Sequence, residues 1–170
     1  VRRRARLVSP IERIMRTAPV IPVLVIDDAS HARPLAEALV GGGLTVLEVT
    51  LRTPAALEVI REMKQVPGAI VGAGTVLNKS PLDAALDAGA EFVVSPGLTE
   101  NLARPVIASG IPYLPGVATT SDIMRGLDLG LDRFKFFPAI AEGGIPALKA
   151  MAAVFGEVRL CQTGGISEEA

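Results

Sequence analysis

A lysine inside an apolar run is the first candidate for chemistry in this sequence. Lys135 lies within residues 133–139 (RFKFFPA), a stretch typical of a buried strand. Burying an ammonium group is costly, so a buried lysine tends to lose its proton and become a nucleophile. A neutral amine attacks a 2-oxo group to form an imine, which then accepts electrons while the neighbouring C–C bond breaks or forms. A lysine that extends its ammonium to water from a strand end is the alternative.

Four further polar residues have side chains that suit such a reaction. Glu48 would transfer the protons for carbinolamine dehydration and for the hydroxyl of the departing aldehyde. Arg52 would bind a carboxylate or phosphate with its planar guanidinium, and Thr75 and Thr163 would hydrogen-bond a carboxylate without adding charge. An internal Glu48–Arg52 ion pair that only braces the fold is the alternative for those two residues.

We predict different roles for the two glycine-rich segments of the sequence. Gly164 and Gly165 follow the last predicted strand, and their backbone N–H groups would form an anion cradle at the start of a helix. Residues 72–74 (GAG) lack the third glycine of a dinucleotide-binding loop. We therefore predict that the glycines at 72 and 74 permit close backbone packing.

These residues must be positioned by an alternation of strands and helices. Apolar, β-rich segments alternate with helical segments, which predicts parallel strands joined by right-handed crossovers. Ser9 is the predicted N-cap of the first helix, followed by Pro10 and a first-turn Glu12. The other predicted helices are residues 29–40, 54–65, 79–88, 99–109, 120–129 and 145–155. The predicted strands are residues 20–26, 45–51, 69–76, 92–95, 113–117, 134–137 and 158–161.

The polar pattern of the second strand favours a closed barrel over an open sheet. Glu48, Thr50 and Arg52 share one face of this strand, and apolar residues share the other. In an open sheet with helices on both faces, the Glu48 carboxylate would have no polar environment. In a barrel, the polar residues near the strand ends would meet at one mouth, where barrel enzymes have their active sites.

Composition limits the function further. The 170 residues are 49% hydrophobic, enough for one domain with a core, and the net charge of −1 gives no reason to expect nucleic acid or an anionic membrane as partner. The single cysteine allows no disulfide within the chain, which favours a cytoplasmic location. One histidine and one cysteine cannot supply a typical zinc site, whereas carboxylate-bound Mg²⁺ stays compatible with the composition.

Five segments resemble the 2-keto-3-deoxy-6-phosphogluconate (KDPG) and 4-hydroxy-2-oxoglutarate (KHG) aldolases. The resemblance runs from about residue 20 to the end, in the same order and spacing. It implies a homotrimeric (β/α)8 TIM barrel that needs no cofactor or metal and cleaves KDPG to pyruvate and glyceraldehyde 3-phosphate. The segments are residues 48–53 (EVTLRT), 71–77 (VGAGTVL), 95–99 (SPGLT), 134–139 (FKFFPA) and 163–166 (TGGI).

The resemblance also implies roles for individual residues. Lys135 corresponds to the Schiff-base lysine of the family and Glu48 to its general acid/base. Residues of the pyruvate pocket correspond to Arg52, Thr75 and Thr163, and its apolar lining corresponds to Pro96 and Phe137.

The sequence departs from the family pattern at two places. Gln162 stands where the family usually has proline, and we expect it to loosen the end of the seventh strand and shift the Thr163 hydroxyl. The family pattern continues for several tens of residues after the point reached at Ala170, with an eighth strand and a second phosphate-binding segment. We therefore expect residues 1–170 to be a single barrel domain truncated at its C-terminus, with open edges at the first and seventh strands. If these 170 residues were the whole product, we would expect it to be poorly soluble or inactive.

Several functions remain open at this point. KHG, which yields pyruvate and glyoxylate, is a further substrate implied by the resemblance, and the galactonate-derived isomer of KDPG is an alternative. A barrel that binds sugar phosphates without catalysis would use Lys135 as a charge clamp. The presence of Glu48 disfavours that hypothesis, because phosphate binding gains nothing from a carboxylate.

Overall fold

A computed structural model describes residues 8–167 of the chain. Its seven strands are β1 (Val23–Leu24), β2 (Val46–Thr50), β3 (Ile70–Gly74), β4 (Val93–Ser95), β5 (Tyr113–Val117), β6 (Arg133–Phe136) and β7 (Arg159–Gln162). Its seven α-helices are α1 (Pro10–Thr17), α2 (Ala32–Gly41), α3 (Ala56–Met63), α4 (Lys79–Asp87), α5 (Glu100–Ser109), α6 (Thr120–Asp128) and α7 (Gly144–Val154). A 3-10 turn (Ala29–His31) precedes α2. Within the described residues, no helix is long and apolar enough to cross a membrane.

All seven predicted strands and the helices between them are present, with shifts at their ends. The largest difference is β1, predicted over 20–26 and paired only at Val23–Leu24. Pro22 lacks the N–H that a longer ladder would need, although its carbonyl still accepts from Glu48 N–H at 3.0 Å. Gln162 is paired in β7 opposite Phe136, and its expected effect on the Thr163 hydroxyl stays a prediction.

The strands are all parallel and follow one another in chain order from β1 to β7. Four strand spacings separate β2 from β6, or about 19 Å in a flat sheet. The side chains of Glu48 on β2 and Lys135 on β6 nevertheless meet at 3.3 Å. The sheet therefore curls around a lumen, as predicted for a barrel.

The apolar residues form two layers on opposite sides of this curled sheet. The outer layer packs strand residues such as Leu47 and Val49 against helix residues such as Ile60. The inner layer fills the lumen, where Val46 and Phe92 pack with Ile14 of α1. The alternation predicted along β2 is confirmed, with Glu48 on the lumen side.

Helix α1 is held against the amino-terminal end of the barrel by a buried ion pair. The side chain of Ser9 accepts from Glu12 N–H at 3.3 Å, which confirms the predicted N-cap. Arg133, at the start of β6, donates to the Glu12 carboxylate at 2.7 Å and to the carbonyls of Asp132 and Glu157. The Arg133 guanidinium lowers the pKa of Glu12, so the carboxylate is charged at neutral pH.

Replacing Glu12 by glutamine should lower the melting temperature at pH 7 by several degrees, because Arg133 loses its buried counter-charge. Since the pKa of Glu12 is lowered in the folded state, its contribution is present above the ordinary glutamate pKa. It is lost as the pH falls through the folded value. Thermal unfolding between pH 3 and pH 7 should therefore show the Glu12→Gln difference shrinking in acid.

The control is Glu58→Gln, which removes the exposed Glu58–Arg61 pair of α3 and should change the melting temperature little. An equal destabilisation by Glu12→Gln at both ends of the pH range would show that the carboxylate charge is unimportant.

Candidate active site

The centre of the site is a contact between two buried charged side chains. Lys135 Nζ donates to Glu48 Oε1 at 3.3 Å, and the two residues are 7% and 4% exposed. The ammonium also lies 5.3 Å from the centroid of the Phe137 ring. Both residues occur on the lumen side because β2 and β6 each place alternate residues inward. The lysine therefore does not extend to bulk water.

Burial raises the pKa of Glu48, while the charges of Lys135 and, at longer range, Arg52 act in the opposite direction. Glu48 forms its ion pair with Lys135, and Arg52 is exposed beyond the end of β2. The alternative in which a Glu48–Arg52 ion pair braces the fold is therefore not the arrangement in this structure. A carboxyl group whose pKa is raised is better able to alternate between donating and accepting protons near neutral pH.

Two predicted residues follow the carboxyl ends of β3 and β4. Thr75 comes directly after β3 with φ +58°, a left-handed conformation that is costly for a β-branched residue. Pro96 follows β4, and its carbonyl group occupies the position where a side chain at Gly116 would begin. Gly116 is paired in register with Lys135, so Pro96 lies near the level of the lysine.

The segments after β6 and β7 are joined by backbone hydrogen bonds. The N–H of Ala139 donates to the carbonyl of Thr163 at 2.8 Å, and that of Ile140 donates to Gly164 at 3.1 Å. Gly164 and Gly165 have φ values of +103° and +75°, which favour glycine. A side chain at 164 would also come within 3.4 Å of the Phe137 ring. Phe137, Thr163 and both glycines therefore form one connected rim beside Lys135.

A cavity of about 550 Å³ opens from the lumen at this rim. Its lining contains five of the nine predicted site residues: Glu48, Lys135, Thr163, Gly164 and Gly165. Phe137 contacts Lys135 from outside the lining. The remaining three residues, Arg52, Thr75 and Pro96, lie at neighbouring strand ends and do not line the cavity.

Sequence reasoning missed a buried hydroxyl pair on the helix-facing side of the sheet. Tyr113 Oη and Ser95 Oγ are 2.8 Å apart, and Ser95 Oγ donates to the Gly97 carbonyl at 2.7 Å. Because Ser95 Oγ gives its only proton to Gly97, the Tyr113 hydroxyl is the donor to Ser95. Burial raises the pKa of Tyr113 to about 12. The pair fixes the turn that contains Pro96, and only the lone tyrosine of the sequence could have indicated it.

Gly72 and Gly74 permit close packing, but the prediction that backbone packs against them was wrong. A Cβ at 72 would lie 2.5 Å from the ring of Phe92, and one at 74 would collide with the side chain of Glu48. Side chains in the lumen, rather than a neighbouring backbone, occupy the space that these glycines leave.

Ser95→Ala should destabilise the protein more than Tyr113→Phe. The first change leaves both the Tyr113 hydroxyl and the Gly97 carbonyl unpaired, at about 1–3 kcal/mol for each buried group. The second change removes one hydrogen bond, worth about 0.5–1.5 kcal/mol. Urea unfolding should measure this order, with Ser109→Ala at an exposed helix end as the control. The reverse order would refute the proposed direction of the hydrogen-bond chain.

Comparisons with known proteins agree with this geometry. Residues 11–170 match the model of the family described as aldolase, KDPG and KHG aldolase. The KHG/KDPG aldolase of Escherichia coli (strain K12) is 55% identical over 157 residues, which cover 92% of this chain and 74% of that protein.

Two solved structures share the fold. One is the 2-keto-3-deoxy-6-phosphogluconate aldolase of Zymomonas mobilis ZM4 with 3-phosphoglycerate, at 64% identity and a TM-score of 0.91 over 93% of this chain and 76% of that chain. The other is the KDPG aldolase of Legionella pneumophila with pyruvate captured as a covalent carbinolamine, at 47% identity and a TM-score of 0.90 over 95% and 78% of the two chains. With its curled parallel sheet and this similarity, the chain belongs to the KDPG and KHG aldolase family.

Proposed function

We propose that this protein is a class I aldolase that cleaves 2-keto-3-deoxy-6-phosphogluconate to pyruvate and glyceraldehyde 3-phosphate. The observation that carries the proposal is the Lys135–Glu48 contact at 3.3 Å, an amine beside a carboxyl group inside a cavity. The Legionella relative, which holds pyruvate as a covalent carbinolamine, supports the same chemistry here.

The reaction would begin when Lys135 Nζ, having given a proton to Glu48, attacks the C2 carbonyl of the substrate. The resulting carbinolamine loses water after Glu48 returns a proton to the departing hydroxyl, and a protonated imine remains. Glu48 then removes the proton of the C4 hydroxyl, so that the C3–C4 bond breaks and its electrons enter the imine. Glyceraldehyde 3-phosphate leaves, and protonation of the enamine at C3 followed by hydrolysis releases pyruvate and the free amine.

The residues around the pair would hold the two ends of the substrate. Arg52 would attract the carboxylate or phosphate, while Thr75 and Thr163 hydrogen-bond the carboxylate of the pyruvate moiety. The backbone N–H groups of Gly164 and Gly165 would bind the phosphate, and Pro96 and Phe137 would exclude water from the imine. The Zymomonas relative, solved with 3-phosphoglycerate, supports a phosphorylated substrate.

A second substrate, 4-hydroxy-2-oxoglutarate, is included in the proposal. It shares the 2-oxo acid end that Lys135 would attack, and its cleavage gives pyruvate and glyoxylate. The double name of the Escherichia coli relative supports it. Turnover of both compounds by one preparation, measured as pyruvate release, would test this extension.

We also propose a homotrimer in the cytoplasm. The family resemblance supports the trimer, and exposed apolar side chains on the outer helices, such as Met124 and Leu127, are compatible with contacts between copies. The free Cys161 supports a reducing compartment. Light scattering during size-exclusion chromatography should give three times the mass of one chain, and the mass of one chain would contradict the trimer.

Borohydride reduction in the presence of pyruvate should attach pyruvate covalently to Lys135, because reduction converts the imine to a stable secondary amine. Peptide mass spectrometry would locate the adduct. Lys135→Arg should lose the adduct and all turnover, since a guanidinium stays protonated. The exposed Lys149→Arg is the matched control and should retain both. Folded protein without an adduct would remove the imine mechanism and favour the barrel that binds without catalysis.

The pH dependence of kcat/KM should report Glu48. Burial raises its pKa, so activity should fall in acid with a midpoint above the ordinary glutamate value of 4.5, as the Glu48 carboxylate becomes protonated and can no longer accept a proton. The charges that face Glu48 are Lys135 and Arg52, and Cys161 lies beside Lys135 on β7. Glu48→Gln should lower kcat by about 10²–10⁴-fold and abolish this acidic limb. If kcat/KM of Glu48→Gln still fell in acid at the same pH, the titration would belong to another group.

A further inference from the structure

Glycine at position 74 leaves the space that the Glu48 carboxyl group occupies. The side chain of any other residue there would enter that space. A Cβ built on Gly74 would lie 2.8 Å from both Cγ and Cδ of Glu48 and still closer to Oε1, and these are its three nearest atoms. Carbon atoms that are not bonded prefer separations of about 3.5–4.0 Å. Oε1 is also the atom that accepts from Lys135 Nζ. A methyl group at 74 therefore competes directly with the atom that joins the two charged groups.

The register of the strands explains why the conflict falls on this glycine. Glu48 is opposite Gly72 in the β2–β3 ladder, and Thr50 is opposite Gly74. The Glu48 side chain thus leans two residues toward the carboxyl end of its strand, as strand side chains commonly do. At that height its carboxyl group reaches Lys135 on β6.

We propose that Gly74 is a positioning residue for the aldolase reaction, because its lack of a side chain provides the space in which the Glu48 carboxyl group lies beside Lys135. The effect of Gly74 on catalysis rests on the proposed function. The competition for space between a side chain at position 74 and Glu48 does not depend on it. Gly74 touches no reacting atom and acts only through Glu48.

A matched control lies two residues earlier on the same strand and the same face. Gly72 also faces the lumen, but the three atoms nearest to a Cβ there all belong to the ring of Phe92, at 2.5 Å. Gly72→Ala therefore crowds the lumen by the same single methyl group. Only Gly74→Ala crowds the proton-transfer group.

The experiment is a double-mutant cycle of Gly74→Ala with Glu48→Ala, read by stability and by kcat. Glu48→Ala removes the three atoms nearest to a methyl at 74, which are Oε1, Cδ and Cγ of Glu48. Gly74→Ala should lower the urea midpoint in the wild-type background and leave it nearly unchanged in the Glu48→Ala background. Gly72→Ala should lower the midpoint equally in both backgrounds. Equal losses for Gly74→Ala in both backgrounds would overturn the proposal.

The catalytic arm uses KDPG as substrate. Gly74→Ala should lower kcat about 10–100-fold, part of the 10²–10⁴-fold that general acid–base groups contribute, with KM changed much less. It should cause no further loss in the Glu48→Ala background. A folded Gly74→Ala protein with wild-type kcat would refute the positioning role. An equal fold-decrease in kcat in the wild-type and Glu48→Ala backgrounds would refute it as well.

Failure to fold would also be informative. If Gly74→Ala alone is insoluble, a soluble Glu48→Ala/Gly74→Ala protein supports the competition for space, and an insoluble one overturns it. Wild-type protein that neither turns over KDPG nor forms the borohydride adduct with pyruvate would refute the proposed function. The stability cycle would still decide whether Gly74 positions Glu48.

Discussion

The pairing of Lys135 with Glu48 inside the lumen is the interaction on which the rest of the site depends. Either charge alone would be expensive to bury, and their contact at 3.3 Å offsets part of that cost. It also requires β2 and β6 to face each other, which only a curled sheet permits. The geometry of the barrel and the chemistry of the amine are therefore consequences of the same arrangement: the curl that closes the lumen also removes water from the two groups.

The lumen accommodates this pair through small residues at specific heights. Gly74 leaves room for the Glu48 carboxyl group, and Gly116 leaves room for the backbone at Pro96. Closer to the amino-terminal end, the space is filled by the Phe92 ring and by helix α1, which the Arg133–Glu12 ion pair attaches to β6. One strand thus carries both a structural cation at its start and the candidate nucleophile two residues later. Because close packing resists small displacements, a change in either layer is expected to affect the other.

Much of the fold was predictable from local pattern. Apolar segments that alternate with helical segments identified every strand and α-helix described here, and alternation along β2 placed Glu48 in the lumen. Local pattern failed where a ladder depends on a single N–H, as at Pro22, which has none to donate just before β1 begins. It also failed where the partner of a residue is distant in sequence. Arg133 and Glu12 are 121 residues apart, and no periodicity indicates that they pair.

For the site, the sequence by itself determined which side chains are present and on which face of each strand they lie. A lysine in an apolar strand and a glutamate on the polar face of another were sufficient to predict imine chemistry. Tertiary structure alone decided that Glu48 pairs with Lys135 and not with Arg52, and that Tyr113 and Ser95 fix the turn at Pro96. It also decided that the glycine at 74 faces a carboxyl group. The physical reason is that strand periodicity is a local property, whereas distances between side chains across the lumen depend on how far the sheet curls and on the stagger between its strands.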